Sequence, residues 1–258
     1  MIFFCALDNA ESSNVQMMRP ILLACLAVSS ALAQPPSLIR VVRQGNIGAY
    51  ITGQAPVNVF GMSAIAGPGE SWLLEMHDSF ASLEAVDHTL AGYIPLQTKD
   101  AASFPDLLAQ SQILIAAYRP GLSYRANEGI DLFPKIRYLD LAILRIRLGT
   151  EADLTKLLKL RRFSLDGVNA DIPEIVYEVI SGAPAGTYVV LAPMTSLSVL
   201  DNGRADAPAY TQGAVEAAKK LAADTELTRE HVWFRIEPRM SRVSDGFASQ
   251  DPNFWRAQ

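Results

Sequence analysis

The sequence ILIAAYRPGLS at residues 113–123 returns as HVWFRIEPRMS at residues 231–241, and this repetition decides the fold. The prolines and the final serines of the two segments each lie 118 residues apart. A second pair of segments, SFASLE at 79–84 and SLSVLD at 196–201, aligns at a spacing of 117 residues. Because two separate alignments agree in spacing to within one residue, the chain contains an internal repeat.

A third pair of segments, RQG at 43–45 and RLG at 147–149, aligns at 104 residues, and each closes an apolar run with the pattern of a strand. Each half also carries two β-like runs around a Gly/Pro turn, which predicts a hairpin. These runs are 57–65 and 71–77 in the first half, and 175–180 and 187–191 in the second. With closing strands at Ile113 and Val232, the predicted order is βαββαβ in both halves.

The first helix of the second half is strongly indicated. Thr150 is the expected N-cap, and Asp153 is its expected capping-box partner. The apolar side chains on one stripe of this helix are Leu154, Leu157, Leu158 and Leu165. The equivalent stretch of the first half, 46–54, contains Gly48 and Gly53. Each glycine costs about 1 kcal/mol of helix propensity relative to alanine, so a short first helix is predicted there.

Several predicted strands are apolar on both faces. Between residues 136 and 146, one face carries Ile136, Tyr138, Ala142, Leu144 and Ile146, and the other carries Leu139, Leu141 and Ile143. A sheet with two apolar faces needs a covering layer on each side, and the other half of the chain is the economical candidate for one of them. The predicted fold class is α+β, with the antiparallel sheets of the two halves packed face to face.

Two stretches carry a resemblance to a known superfamily: WLLEMHDSFASLEAVDH at 72–88 and ILRIRLGTEADL at 143–154, each running from a strand into a helix. The chain resembles the dimeric α/β-barrel superfamily, which includes antibiotic-biosynthesis-monooxygenase-like and NIPSNAP-like proteins. The resemblance implies two ferredoxin-like βαββαβ units that form a single-chain dimeric α/β barrel around a pocket. The predicted units are 34–130 and 131–245, and the aromatic tail 246–258 is predicted to lie as a strap over an apolar groove.

Composition limits the class of partner. Half of the 258 residues are hydrophobic, which is enough for a substantial core, and the formal net charge is -5. The chain has no run of Lys and Arg long enough to follow a phosphate backbone, so nucleic acid is not an expected partner. After residue 33 no apolar stretch approaches the roughly 20 residues that span a bilayer, and no membrane span is predicted.

The N-terminal segment, 1–33, is predicted to be removed on export. Arg19 precedes an apolar run, and Ala31-Leu32-Ala33 has the pattern of a signal-peptide cleavage site before Gln34. Residues 1–16 do not fit a signal, and we expect translation to start at the Met17-Met18 pair. Both cysteines, Cys5 and Cys25, lie in this segment, so the exported protein would have no disulfide. A lipoprotein anchored at Cys25 is the alternative to a periplasmic or extracellular product.

Polar residues on two predicted strands form the candidate binding site. Glu75 and His77 are in phase on one strand, and His231, Trp233 and Arg235 are in phase on another. If these faces line the space between the sheets, the five side chains form a polar cluster in an apolar pocket. The alternative is that they are ordinary polar groups at exposed strand ends.

His88 lies on the predicted second helix, about where monooxygenase-like members of the superfamily carry a histidine. A surface or capping role is the alternative to a catalytic or haem-ligating role. The sequence has no nucleophile elbow, phosphate loop, dinucleotide fingerprint or paired-cysteine metal motif. No cofactor is evident and no metal site is predicted, although the resemblance allows haem.

Three functions remain open at the level of the sequence. The first is an exported protein that binds a small apolar or aromatic ligand between its sheets. The second is a cofactor-independent oxygenase or haem-handling enzyme that uses His77, His88 or His231. The third is a structural role, in which the barrel supplies a surface for assembly into a homo-oligomer. Whether the chain is an enzyme is not decided.

Overall fold

The structure, a computed structural model, describes residues 34–43, 57–66, 69–93, 112–167, 172–202 and 212–256. They belong to one compact unit, Leu32–Gln258. The strands are β1 (Leu38–Arg43), β2 (Val59–Ala64), β3 (Ser71–His77), β4 (Gln112–Tyr118), β5 (Tyr138–Ile146), β6 (Ile175–Ser181), β7 (Thr187–Met194) and β8 (Glu226–Ile236). The described α-helices are α1 (Phe80–Tyr93), α2 (Ala126–Leu132), α3 (Glu151–Gly167), α4 (Val199–Asn202), α5 (Gln212–Thr225), α6 (Asp245–Ala248) and α7 (Pro252–Trp255).

The eight strands form one closed, antiparallel barrel in the order β1-β3-β2-β8-β5-β7-β6-β4. The prediction of an α+β fold with antiparallel pairing is confirmed. The expected arrangement of two sheets packed face to face is replaced by edge-to-edge pairing, because β2 bonds to β8 and β4 bonds to β6. Closure removes the unpaired strand edges that two separate sheets would expose. The predicted first helix of the first half, at 46–54, lies outside the described residues.

The pairing registers of the two halves repeat. Arg40 of β1 pairs with Glu75 of β3, and Asp140 of β5 pairs with Ala192 of β7. We call two residues register equivalents when they occupy matching places in this repeat. The spacings of 117 residues for β3 and β7 and of 118 residues for β4 and β8 match the sequence repeat.

The same registers correct the third sequence alignment. Arg40 and Asp140 are equivalent, so β1 and β5 are related by 100 residues. The predicted spacing of 104 residues, which matched Arg43 with Arg147, is therefore wrong. Side chains on a strand alternate between its faces every two residues, so an alignment shifted by four residues keeps the same residues on the same face. The apolar pattern of the sequence therefore does not reveal the error.

Two serines hold the seams between the halves. After β8, the chain makes a 3₁₀ turn at Pro238–Met240, and the Ser241 hydroxyl accepts from the Gly61 N–H of β2 at 2.9 Å. After β4, a matching turn at Pro120–Leu122 brings the Ser123 hydroxyl to the Val176 N–H of β6, also at 2.9 Å. Each serine hydroxyl also donates to a carbonyl four residues earlier.

Only glycine fits at position 61, because the backbone of the turn at 238–240 lies directly against it. A Cβ at this position would lie 2.3 Å from the Met240 carbonyl oxygen, so the turn at 238–240 could not pack against β2. The repeated Pro and Ser of the sequence are thus residues that join one half to the other.

Inward-facing side chains fill the barrel with a hydrophobic core. Fully buried members include Ile39, Phe60, Trp72, Tyr177 and Phe234. At one end the aromatic tail closes this core: Trp255 packs against Phe60 with ring centroids 5.9 Å apart, and its indole N–H donates to the Pro134 carbonyl at 2.7 Å. Trp255 of the tail therefore packs against the core at this end of the barrel.

The other end of the barrel interior carries charge. Arg43 lies over the ring of Trp72 at 4.3 Å from its centroid and forms an ion pair with Glu230 of β8. This pair joins the first strand of one half to the last strand of the other.

Helices cover the outer face of the second half. Leu154 and Leu158 of α3 pack on Leu144, Val176 and Tyr188, which confirms these two residues of the predicted apolar stripe. The side chain of Leu165 lies outside the described part of the structure. The helix begins at Glu151, but the Thr150 hydroxyl donates to the Arg147 carbonyl instead of accepting from the Asp153 N–H. In the part of the chain that the structure describes, no helix combines the length and apolar character needed to cross a bilayer.

The serine contacts at the seams predict measurable losses of stability. Ser241→Ala would leave the buried Gly61 N–H without its acceptor, which costs about 1–3 kcal/mol. Ser123→Ala should lose less, because its bond to Val176 is only partly buried. Urea denaturation would measure both, with exposed Ser37→Ala as the control. Equal stability of Ser241→Ala and Ser37→Ala would contradict the role of Ser241.

Candidate functional site

The sequence-predicted site residues lie on the outer face of the barrel. Trp72 and Leu74 of β3 and Phe234 and Ile236 of β8 are in the buried core, so the alternate positions of both strands point outward. The outward residues are Glu75, His77, His231, Trp233 and Arg235. The expectation that they line the space inside the barrel is wrong, because strand phase alone does not tell which face points inward.

The outward residues form two groups and not one cluster. Strand β2 lies between β3 and β8, with Glu75 opposite Val59 and Arg235 opposite Ser63. Four residues along β2 correspond to about 13 Å, in addition to the spacing across the strands. The five side chains therefore do not share one pocket, and a ligand-binding role for any of them stays a prediction.

The first group is a buried ion network. Arg40 donates to Glu75 through Nε at 2.8 Å, and His77 Nε2 lies 3.0 Å from Glu75 Oε2. Arg40 also binds Asp87 of α1, the helix that follows β3. Arg40, Glu75 and His77 are only 7%, 3% and 0% exposed, respectively. His88 lies on the same helix, but its side chain is outside the described part of the structure.

The charge state of this network is set by mutual pairing. Burial by itself would lower the pKa of Arg40, but the Coulomb attraction of Glu75 and the hydrogen bonds to Glu75 and Asp87 outweigh it and raise that pKa. The guanidinium therefore stays charged in a place from which water is largely excluded. A buried pair of this kind fixes geometry, and removing one partner leaves an uncompensated charge.

The second group borders a groove. On the outer face of the second half, His231 of β8 forms an ion pair with Asp140 of β5 through Nε2. Trp233 packs edge-on against His231, with ring centroids 6.1 Å apart, and Arg235 pairs with Glu237. The side chain of Asp140 is mostly buried and Asp140 lines a cavity, whereas the side chain of His231 is 47% exposed.

The groove lies between α3 and α5, over the outer face of β5. Its wider chamber has a volume of about 310 Å³. Its walls are leucines and alanines with two arginines and a glutamate: Leu144, Leu154, Leu157, Leu158, Leu160, Ala218, Ala222, Arg161, Arg229 and Glu226. We call this cavity the α3–α5 groove. Its volume is at the lower end of the range for small-molecule sites.

A narrow cleft continues the α3–α5 groove toward Asp140. The cleft and the chamber share Leu144, Leu158, Arg161 and Arg229, and the cleft adds Asp140, Ala142, Glu174, Val190 and Ala192. Its free volume is about 20 Å³, which is enough for one group the size of a water molecule. We call it the Asp140 cleft.

Small residues open this space in the second half. Ala142 and Ala192 form part of the cleft floor, and Ala218 and Ala222 form the wall of α5. The register equivalent of Ala192 is Glu75, whose side chain fills the corresponding place in the first half and binds Arg40. The two halves therefore use one surface differently: the first holds an ion pair, and the second leaves a groove.

The groove does not fit haem as the residues stand. Haem iron takes His, Cys, Met or Tyr as its usual protein ligands. Among the described residues that line the groove and the cleft, none is of these types, and the Nε2 atom of nearby His231 is bound to Asp140. Within the same described ranges, no group of three His, Cys, Asp or Glu side chains is arranged to hold a metal ion.

Sequence reasoning missed the residues that shape the groove. Asp140 is the charged residue on the face of β5 that also carries Ala142 and Leu144, and this break in the apolar pattern was a usable signal. Arg161 of α3 pairs with Glu174, which is 2% exposed and directly precedes β6. Nothing in the sequence brings those two positions together, because their contact depends on how α3 lies on the sheet.

Comparisons with known proteins support the fold. No family model and no curated protein matches the chain. The structure is similar to a crystal structure of an anthrone oxidase-like protein, with a TM-score of 0.50 and 10% identity over 78% of this chain and 91% of that chain.

Two further structures are similar at lower scores. A chlorite dismutase from Candidatus Nitrospira defluvii has a TM-score of 0.45 and 8% identity, over 85% of this chain and 97% of that chain. A heme-binding protein from Thermus thermophilus has a TM-score of 0.41 and 8% identity, over 79% and 92% of the two chains. At these identities the likeness concerns the fold alone.

The buried network predicts a large effect of a single substitution. Glu75→Ala would leave Arg40 buried without its main partner, and we expect a loss of about 3–5 kcal/mol in the free energy of unfolding. Glu216→Ala, in an exposed pair with Lys219, should change stability by less than about 0.5 kcal/mol. Urea denaturation compares the two, and a loss below about 1 kcal/mol for Glu75→Ala would show that the network is not structural.

Proposed function

The chain has the fold of the dimeric α/β-barrel superfamily, and on that premise we propose that it binds a small apolar or aromatic molecule. The proposed site is the α3–α5 groove on the outer face of the second half. This differs from the site between the sheets that the sequence suggested, because core side chains occupy the described interior of the barrel. The two barrel halves are proposed to be fused copies of one ferredoxin-like unit, and their repeated registers support this.

One observation carries the proposed function: a chamber of about 310 Å³ is lined mainly by leucines and alanines and shares four wall residues with a polar cleft. Small-molecule sites combine apolar walls with a few polar groups that orient the ligand. Arg161, Arg229 and Asp140 are polar groups of that kind here. The oxygenase alternative would use the same groove, with His231 as the described histidine beside it.

Filling the groove tests the proposal. We expect 1-naphthylmethanol, a neutral aromatic probe, to bind the protein saturably in isothermal titration calorimetry. Ala222→Trp should weaken this binding on the order of tenfold or more, because the indole would occupy the chamber. Ala223→Trp places the same side chain on the next, exposed position of α5 and should leave binding unchanged.

Two results would contradict the proposed site. One is equal binding by the Ala222→Trp and Ala223→Trp proteins, and the other is no binding by the unaltered protein. Hemin provides a further comparison, since the described groove has no usual ligand for its iron. A Soret shift on hemin addition that Ala222→Trp abolishes would favour haem as the occupant.

We also propose that the protein acts after export. The support is the sequence alone, with an apolar run and an Ala31-Leu32-Ala33 cleavage pattern. Protein recovered from the periplasm or medium of a secreting bacterial host should begin at Gln34, as read by N-terminal sequencing. A product that retains residues before Gln34 and carries lipid on Cys25 would replace this proposal with a lipoprotein.

A further inference from the structure

We propose that the ligand of the α3–α5 groove carries an amine, whose ammonium group binds Asp140 in the Asp140 cleft. This rests on the proposed function and goes further, because it names the chemical class of the ligand. The ligand would be an aromatic or apolar primary amine, with its ring in the chamber and its charged head in the cleft. Three features of the structure support this: the register repeat, the size of the cleft and its balance of charge.

Because the strand registers of the two halves repeat, residues at equivalent positions of the two halves can be compared directly. In the first half, Arg40 and Glu75 are paired neighbours on the outer face, and the Glu75 carboxylate binds the Arg40 guanidinium. In the second half the equivalent positions hold Asp140 and Ala192. The second half thus has a negative charge, Asp140, where the first half has a positive charge, Arg40. On the neighbouring strand β7 it has Ala192, which carries no charge that could neutralise Asp140. A cationic group above Ala192 would complete the pair.

The size of the Asp140 cleft limits what can enter it. Its free volume of about 20 Å³ is enough for a head group as small as an ammonium group. The chamber beyond Leu144 and Leu158 is about 310 Å³, so a ring system fits there and not in the cleft. The geometry therefore favours a small polar head attached to a larger apolar body.

The charges around the groove favour a cation. Arg161 forms an ion pair with Glu174, and Arg229 forms one with Glu226, so these four charges balance. Asp140 is paired with His231, which carries a charge only when it is protonated. Among the described residues that line the groove, Asp140 is therefore the carboxylate without a permanently charged partner. The cleft is lined by two carboxylates, Asp140 and Glu174, and by two guanidiniums, Arg161 and Arg229. Glu174 and Glu226 already pair with the guanidiniums, so the charge left to a ligand head is that of Asp140, which attracts a cation and repels an anion.

A ligand with a neutral head group would bind less tightly in the Asp140 cleft than one with an ammonium group. An alcohol donates one hydrogen bond to the carboxylate, whereas an ammonium group adds its charge, and charge-assisted hydrogen bonds are about twice as strong as neutral ones. The partly dry surroundings of Asp140, whose side chain is 14% exposed, enhance this difference. The structure thus predicts a preference for amine over alcohol and for alcohol over carboxylate.

Three matched probes test the preference: 1-naphthylmethylamine, 1-naphthylmethanol and 1-naphthoate. They share a ring system and differ in the charge of the head. Isothermal titration calorimetry on the whole exported chain, at one mildly alkaline pH, should show the amine binding on the order of tenfold more tightly than the alcohol. The carboxylate should bind more weakly than either.

Variants then assign the preference to the cleft. Asp140→Asn should bring the amine to the affinity of the alcohol, with little change for the alcohol itself. Ala192→Leu, which fills the cleft and keeps Asp140, should also remove the preference, so the test does not depend on one variant folding. Asp131→Asn changes an exposed carboxylate of α2 and should retain the full preference. Urea denaturation establishes that each variant is folded.

The outcomes separate this inference from the proposed function. If none of the three probes binds, the groove is not a ligand site and both fall. If all three bind equally, or the carboxylate binds best, the groove binds ligands but the amine assignment is wrong. If the amine is preferred and the preference survives both Asp140→Asn and Ala192→Leu, the cation is bound elsewhere and the inference is overturned.

Discussion

Reciprocal pairing of the edge strands is the constraint on which the rest of the structure depends. Each half of the chain arranges its four strands in the same order and leaves an edge strand at either end. The edges of one half bond to the edges of the other, through β2 with β8 and β4 with β6. Ser241 and Ser123 fix these seams by hydrogen bonding across them. Closure therefore leaves the described strands without an open edge for unwanted pairing.

Closure also decides where the described residues leave open space. The inward faces meet at the centre and fill with large side chains such as Phe60, Trp72 and Phe234. Space for a ligand is then found on the outer face, where helices lie on the sheet and where side-chain size can vary without disturbing the barrel. Alanines on β5, β7 and α5 open that space in the second half. Substitutions in the core should therefore lower the free energy of unfolding, whereas substitutions in the α3–α5 groove should change the affinity for a ligand.

The two halves show how a repeated surface can acquire different properties. At one pair of equivalent positions, Arg40 is neutralised within the protein by Glu75, while Asp140 is held only by a half-exposed histidine. A charge that is neutralised and buried contributes a fixed geometry, whereas a carboxylate beside an open cleft remains able to bind. The difference arises chiefly from one position on the neighbouring strand, which is Glu75 in one half and Ala192 in the other.

The sequence by itself determined the repeat, the α+β class and the apolar stripe of α3, because these depend on residue type and spacing along one chain. It also indicated the superfamily resemblance, and the match to the anthrone oxidase-like structure supports that fold. Export after Ala33 is also a sequence inference and remains a prediction. The assignment of 246–258 as a strap also stays a prediction, although Trp255 is buried and packs edge-on against Phe247.

Only the tertiary structure decided which strand faces point inward, how the sheets join, and where the groove lies. His77 and His231 are in phase with polar neighbours in the sequence, but one is buried in an ion network and the other borders a groove. The four-residue error in matching β1 with β5 has the same origin. Side chains on a strand alternate between two faces, so the sequence pattern does not distinguish alignments that differ by an even number of residues. It also does not tell which face points inward, and only contacts with other strands decide both questions.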